Sequence, residues 1–179
     1  MIDAILHTLS CCSGPCLLSV WTWSIADYEV ECLTRLMRDS RLTGALLVID
    51  IGGLRQGGSR ARKADIGDGI VSEWRKHFGP SSVVYASNHA KIATIECPGD
   101  GLKFLLRGSM NLNFNPRFEQ FDLTEGGQDF DLIREIEVSL PILPDDCSRA
   151  DTFKSGKIGE IWHADDLKIF SQPLQVWKK

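Results

Sequence analysis

Residues 87–113, SNHAKIATIECPGDGLKFLLRGSMNLN, place His89 and Lys91 two apart, and then Ser109 and Asn111 two apart. Side chains of a strand alternate between faces, so each pair would point one way. The segment CPGDG between them is rich in turn residues and predicts two antiparallel strands. A turn centred on Gly99 sets His89 opposite Ser109, whereas a slip of one residue sends the two pairs to opposite faces. Brought together, an imidazole, an ammonium, a hydroxyl and an amide suit a phosphodiester. Lysine and asparagine can hold its non-bridging oxygens, and imidazole can act as nucleophile or general acid. A His-x-Lys by itself is an ordinary polar stretch of strand; the Gly-Ser-x-Asn at hairpin distance is what makes it a candidate site.

The flanking elements must hold that hairpin. Residues 17–23, LLSVWTW, read as a strand after the Gly14-Pro15 break. Ser24 with Asp27 resembles a capping box, and Ile25, Tyr28, Leu33, Leu36 and Met37 recur at helical spacing, predicting a helix that ends near Leu42 to Gly44. The apolar run 45–51, ALLVIDI, suits a central strand buried on both faces. Ile66, Ile70, Trp74 and Phe78 fall four apart on a second helix, stopped by Gly79-Pro80. Residues 83–86, VVYA, read as a strand running into the His-x-Lys. Residues 118–124 alternate like a strand, 129–138 suit a helix, and Pro141 and Pro144 end regular structure. This alternation predicts an α/β domain: a mixed β-sheet with helices on both faces, over residues 1–144. Residues 145–179 hold Trp162, Leu167, Ile169, Phe170 and Trp177 without a period, an extension that packs on the domain or covers a partner.

Composition bounds the function classes. With 43% apolar and 25% charged residues, the profile is that of a globular protein, and no apolar run approaches a membrane span. The N-terminus MIDAILHTLS has an acid and no basic region, so it does not read as a secretory signal, and the cytoplasm is the default compartment. His7, Cys11, Cys12 and Cys16 lack paired Cys-x-x-Cys spacing, so the thiols read as buried or reduced and no metal is expected. A net charge of −4 does not advertise a polyanion partner, but residues 52–63, GGLRQGGSRARK, hold Arg55, Arg60, Arg62 and Lys63 without an acid. That Gly-rich basic loop could track a phosphate backbone; otherwise it is solvated surface.

HAKIATIE followed by GSMNLN resembles the His-x-Lys motif of the phospholipase D superfamily with its downstream Gly-Ser-x-Asn. The order strand, helix, buried strand, helix, strand before it is similar to one half of that fold, and the resemblance covers roughly residues 17–140. It implies a phospholipase D-like half-domain in which His89 attacks phosphorus to form a phosphohistidine and a second histidine protonates the leaving oxygen. Lys91, Ser109 and Asn111 match the phosphate-binding positions, and Glu119 resembles the glutamate that orients a motif histidine. The motif acid, aspartate in the family, is Glu96 here, which keeps the carboxylate on one more methylene. Metal is not normally required in that family, so no cofactor is expected.

The motif occurs once, and His7, His77 and His163 have no lysine two residues on. Two catalytic histidines then require a twofold homodimer with both copies of His89 across the interface. The leading expectation is a metal-independent phosphodiesterase, most simply a DNA nuclease. The alternative is a catalytically inactive nucleic-acid-binding or assembly protein of the same fold. A lipid phosphodiesterase stands behind both, because no membrane-binding amphipathic helix stands out.

Overall fold

A strand buried on both faces needs apolar side chains at consecutive positions, and residues 45–49 supply them. In the computed structural model they form most of β2 (Leu42–Ile49). The structure describes residues 1–23, 25, 27–50, 60–86, 88–109 and 120–139. The chain divides into two units, Met1–Ile142 and Leu143–Lys179, and every described residue lies in the first. The expected boundary at 144 and the extension 145–179 lie outside the described residues.

The elements are α1 (Ile2–Ser10), β1 (Cys16–Thr22), α2 (Asp27–Met37), β2, α3 (Arg60–Phe78), β3 (Val83–Tyr85), β4 (Ile92–Cys97), β5 (Leu102–Gly108), β6 (Phe121–Glu125) and α4 (Gln128–Ser139). The six strands form one mixed sheet in the order β3-β2-β1-β4-β5-β6. β1, β2 and β3 run parallel, and β4, β5 and β6 add on antiparallel. An α/β architecture is therefore present, with helices on both faces. On one face α2 and α3 pack together, α1 packs on α2 and β4, and α3 packs on β2. Leu33, Leu36, Leu47, Ile49, Trp74 and Ile95 are fully buried. Each contributes about 1.5–3 kcal/mol by leaving water. The opposite face takes α4, whose Ile133 and Ile136 pack against Trp21, Val48 and Ala86. None of the described helices is long and apolar enough to cross a membrane.

Three local readings are corrected. Helix α1 was not expected, yet Ile2, Ile5 and Leu9 fall on one helical face and are buried. Helix α2 ends at Met37, earlier than Leu42–Gly44, because Asp39 turns the chain. Its carboxylate accepts from the Arg41 backbone N–H at 3.0 Å, and Leu42 N–H donates to its carbonyl at 3.0 Å, so β2 starts at once. The Arg41 guanidinium bonded to that carboxyl holds it below the usual carboxylate range. The third correction is the hairpin register. Cys97 faces Leu102 and Ile92 faces Arg107, so the turn centre falls between Gly99 and Asp100 rather than on Gly99. A four-residue loop explains it: Asp100 N–H donates to Cys97 O, and Gly101 takes φ 68°, where glycine has no Cβ to clash. Asp100 pins the loop by accepting from Ser13 N–H at 2.8 Å and Ser13 Oγ at 2.6 Å.

Candidate phosphodiester site

β3 pairs with β2 on one side of the sheet, and β4 pairs with β1 on the other. The chain between them must therefore cross the ends of β2 and β1. Its hydrogen bonds trace that path: Ala86 N–H donates to Ile49 O at 3.1 Å, and Asn88 N–H to the Asp50 carboxylate at 3.0 Å. Asp50 N–H in turn donates to Thr22 O at 3.2 Å. These are the carboxyl ends of the parallel strands, where open α/β sheets place their ligand crevices.

Residues 83–91 are thus not one strand, as the sequence suggested: β3 stops at Tyr85 and β4 starts at Ile92. His89 is set by a turn instead. Asn88 Oδ1 accepts from Ala90 N–H at 3.1 Å, which closes a loop around the histidine. The imidazole is exposed and leans on Trp23, with ring centroids 5.4 Å apart at 53°. Lys91 is only 7% exposed. Its Nζ lies 2.7 Å from His89 Nδ1, 3.3 Å from Nε2 and 2.6 Å from the His89 carbonyl oxygen. An ammonium has hydrogens and no lone pair, so the ring nitrogen it meets must accept. In the tautomer that accepts at the nearer Nδ1, the imidazole proton sits on Nε2.

The structure brings His89 and Lys91 together. Lys91 O accepts from Gly108 N–H at 3.1 Å, so Lys91, not His89, sits beside the glycine of the Gly-Ser-x-Asn. The strand pairing ends at Ile92 with Arg107, and His89 lies before β4, so the expected pairing of His89 with Ser109 across a hairpin turn centred on Gly99 is not formed. Ser109 is exposed, and its N–H donates to Gln120 O at 3.1 Å. Asn111 and Glu119 lie outside the described residues. Glu96 is half-buried on β4 opposite Lys103, about 16 Å down the strand from Lys91 at 3.3 Å per residue. Arg60, Arg62 and Lys63 belong to the start of α3 rather than to a loop, and Arg55 lies outside the described residues. His77 stacks edge-on against Phe78, away from this crossing.

Trp23, Asp50 and Asn88 were not picked out from the sequence. The readable signal was Asp50, a carboxylate at the end of a buried apolar run. Asn88 Nδ2 is buried and meets no acceptor among the described residues. No family model matches this chain, and no curated protein matches its sequence.

Gly108 shows why the motif glycine is needed. A Cβ there would lie 2.6 Å from Gln120 O and 3.2 Å from Phe121 Cα, both backbone atoms at the start of the neighbouring strand. Gly108→Ala is expected to push β6 away and cost about 1–3 kcal/mol, as overpacking does. Urea unfolding checks the cost. An unchanged midpoint would mean that β6 does not press on this position.

Proposed function

We propose that the chain is a metal-independent phosphodiesterase of the phospholipase D type, acting on DNA in a homodimeric site. The observation that carries the reading is the His89–Lys91 pair: an exposed imidazole in contact with a buried ammonium, on the carboxyl edge of the sheet. A phosphodiester oxygen arriving at Lys91 would draw the ammonium from Nδ1. Proton transfer between the ring nitrogens through solvent then leaves Nε2 with a lone pair. Nε2 attacks phosphorus, a P–N bond forms, and the P–O bond to the leaving oxygen breaks. His89 of the second copy gives that oxygen its proton. Water then attacks phosphorus, the P–N bond breaks, and the second histidine takes the water's proton. Ser109 and Asn111 would add donors to the phosphate, and Glu119 would orient a histidine. Arg55, Arg60, Arg62 and Lys63 would follow the backbone of the nucleic acid. Three of these cations occupy the start of α3, where the helix dipole is positive and the first turn holds no acid, so a phosphate would be welcome there.

A second reading has its own support. The hairpin register does not set Ser109 opposite His89, and the acid at the motif position is Glu96 where the family has aspartate. Such a chain could bind nucleic acid, or assemble, without cleaving. Plasmid DNA incubated with wild type and His89→Ala in excess EDTA separates the two. Cleavage by wild type alone supports the enzyme, while retention without cleavage by both supports the binding protein. Light scattering that shows a strict monomer would remove the two-histidine site.

A further inference from the structure

The other end of β4 carries a cluster that the phosphodiester chemistry does not use. Cys97 closes β4, Cys16 opens β1 beside it, and Cys12 follows the last turn of α1. All three are buried, at 0%, 0% and 6% exposure, and their Sγ atoms lie within 4.8 Å of one another. Cys97 is the member that spacing could not reveal, because it joins the other two only through the β1–β4 pairing. Cys11, adjacent in sequence, is exposed and outside the group.

We propose that Cys12, Cys16 and Cys97 form a binding site for one thiophilic d10 cation. A metal bonded to three sulfurs at about 2.3 Å holds them about 4 Å apart, within the span seen here. The Cys16 and Cys97 sulfurs stand 2.9 Å apart and must open by about 1 Å, which a small rotation about one Cα–Cβ bond supplies. Each sulfur that coordinates gives its proton to solvent. Arg41 ties together the segments that carry two of the cysteines: its carbonyl accepts from Cys16 N–H at 2.6 Å, and its guanidinium donates to Leu9 O at the end of α1. The donor set is soft and wholly sulfur among the described residues, which selects Cu(I) or Zn(II) over hard ions. Cu(I) is satisfied by three sulfurs, whereas Zn(II) favours a fourth ligand. The ion would tie α1, β1 and β4 together about 20 Å from Lys91, six residues along the strand. Its role would be structural.

The test uses the full chain, reduced and metal-free, titrated anaerobically in two arms. Cu(I) competes with bathocuproine disulfonate, and Zn(II) with a zinc-chelating dye. The expected result is one Cu(I) per chain with X-ray absorption showing three sulfur neighbours, and weaker Zn(II) binding. Cys12→Ala and Cys97→Ser should lose at least about 100-fold in affinity, more than a lost supporting contact costs, and Cys11→Ser should lose none. If Cys97→Ser does not fold, Cys12→Ala decides, because Cys12 lies past the helix end. Affinity in Cys12→Ala equal to wild type would overturn the proposal. So would affinity lost in Cys11→Ser, no binding of either ion, or a Cys16–Cys97 disulfide formed in place of coordination.

Discussion

Mixed dimers of wild type and His89→Ala are expected to lose phosphodiesterase activity as the square of the wild-type fraction. The proposed site at a twofold axis would need His89 twice, once on phosphorus and once on the leaving oxygen, so a chain paired with a variant would contribute nothing. Refolding equal amounts together should leave about a quarter of the wild-type activity per dimer, where independent chains would leave about half. The pure variant should fall by at least about 10⁴-fold, since nucleophile and acid disappear together. Its fold should be intact: His89 is exposed, and among the described residues its ring meets Lys91 and Trp23. A slowly hydrolysed labelled diester should leave its label on wild-type chains, in an acid-labile bond, and on no His89→Ala chain. Linear dependence on the wild-type fraction would sink the shared site. Activity retained in the pure variant would remove His89 from the chemistry altogether.

The sheet was legible where local chemistry and tertiary packing ask for the same thing. Residues 45–49 are apolar without interruption and lie in a strand covered on both faces, and Trp74 and Ile70 are buried on the helix their spacing predicted. The helix before β2 was read too long because one side chain, Asp39, ends it through a turn that periodicity does not see. The hairpin was placed correctly but centred half a residue off, since a loop of four residues and a loop of three differ in nothing that hydrophobic alternation records. For the candidate site this half residue decides which side chain faces which. The pairing of His89 with Lys91 survived for another reason: Asn88 closes a turn around the histidine, so the contact comes from the crossing chain and not from strand alternation. Trp23 and Asp50 join it from the ends of two other strands, a proximity that only strand order creates. Cys97 meets Cys12 and Cys16 in the same way.

The second large effect falls on stability, at the face that α4 covers. Glu137 is a carboxylate with a side chain only 3% exposed, and it accepts from Ser19 Oγ, from Trp21 Nε1 at 2.7 Å and from the Arg134 guanidinium. Ser19 and Trp21 lie on β1, a strand inside the sheet, so one side chain joins α4 to it with two bonds, and the third holds Arg134 of the same helix. Glu137→Ala would leave the indole N–H and the hydroxyl facing an apolar void and Arg134 without its counter-charge. Two buried donors left without an acceptor cost about 1–3 kcal/mol each, together a fall in Tm of about 10 °C for a chain of this size. Glu137→Gln keeps an acceptor for Trp21 and should cost less, about 1–2 kcal/mol. Arg134→Ala should cost least, because the arginine is 40% exposed and water replaces it. Urea unfolding followed by tryptophan fluorescence ranks the three. An Ala variant no weaker than the Gln variant would mean the carboxylate is dispensable to the packing of α4. Strand β1 also leads straight into Trp23, the ring against His89. Loosening α4 should therefore lower activity at temperatures just below its own transition, whereas His89→Ala removes activity at every temperature and leaves the transition where it was.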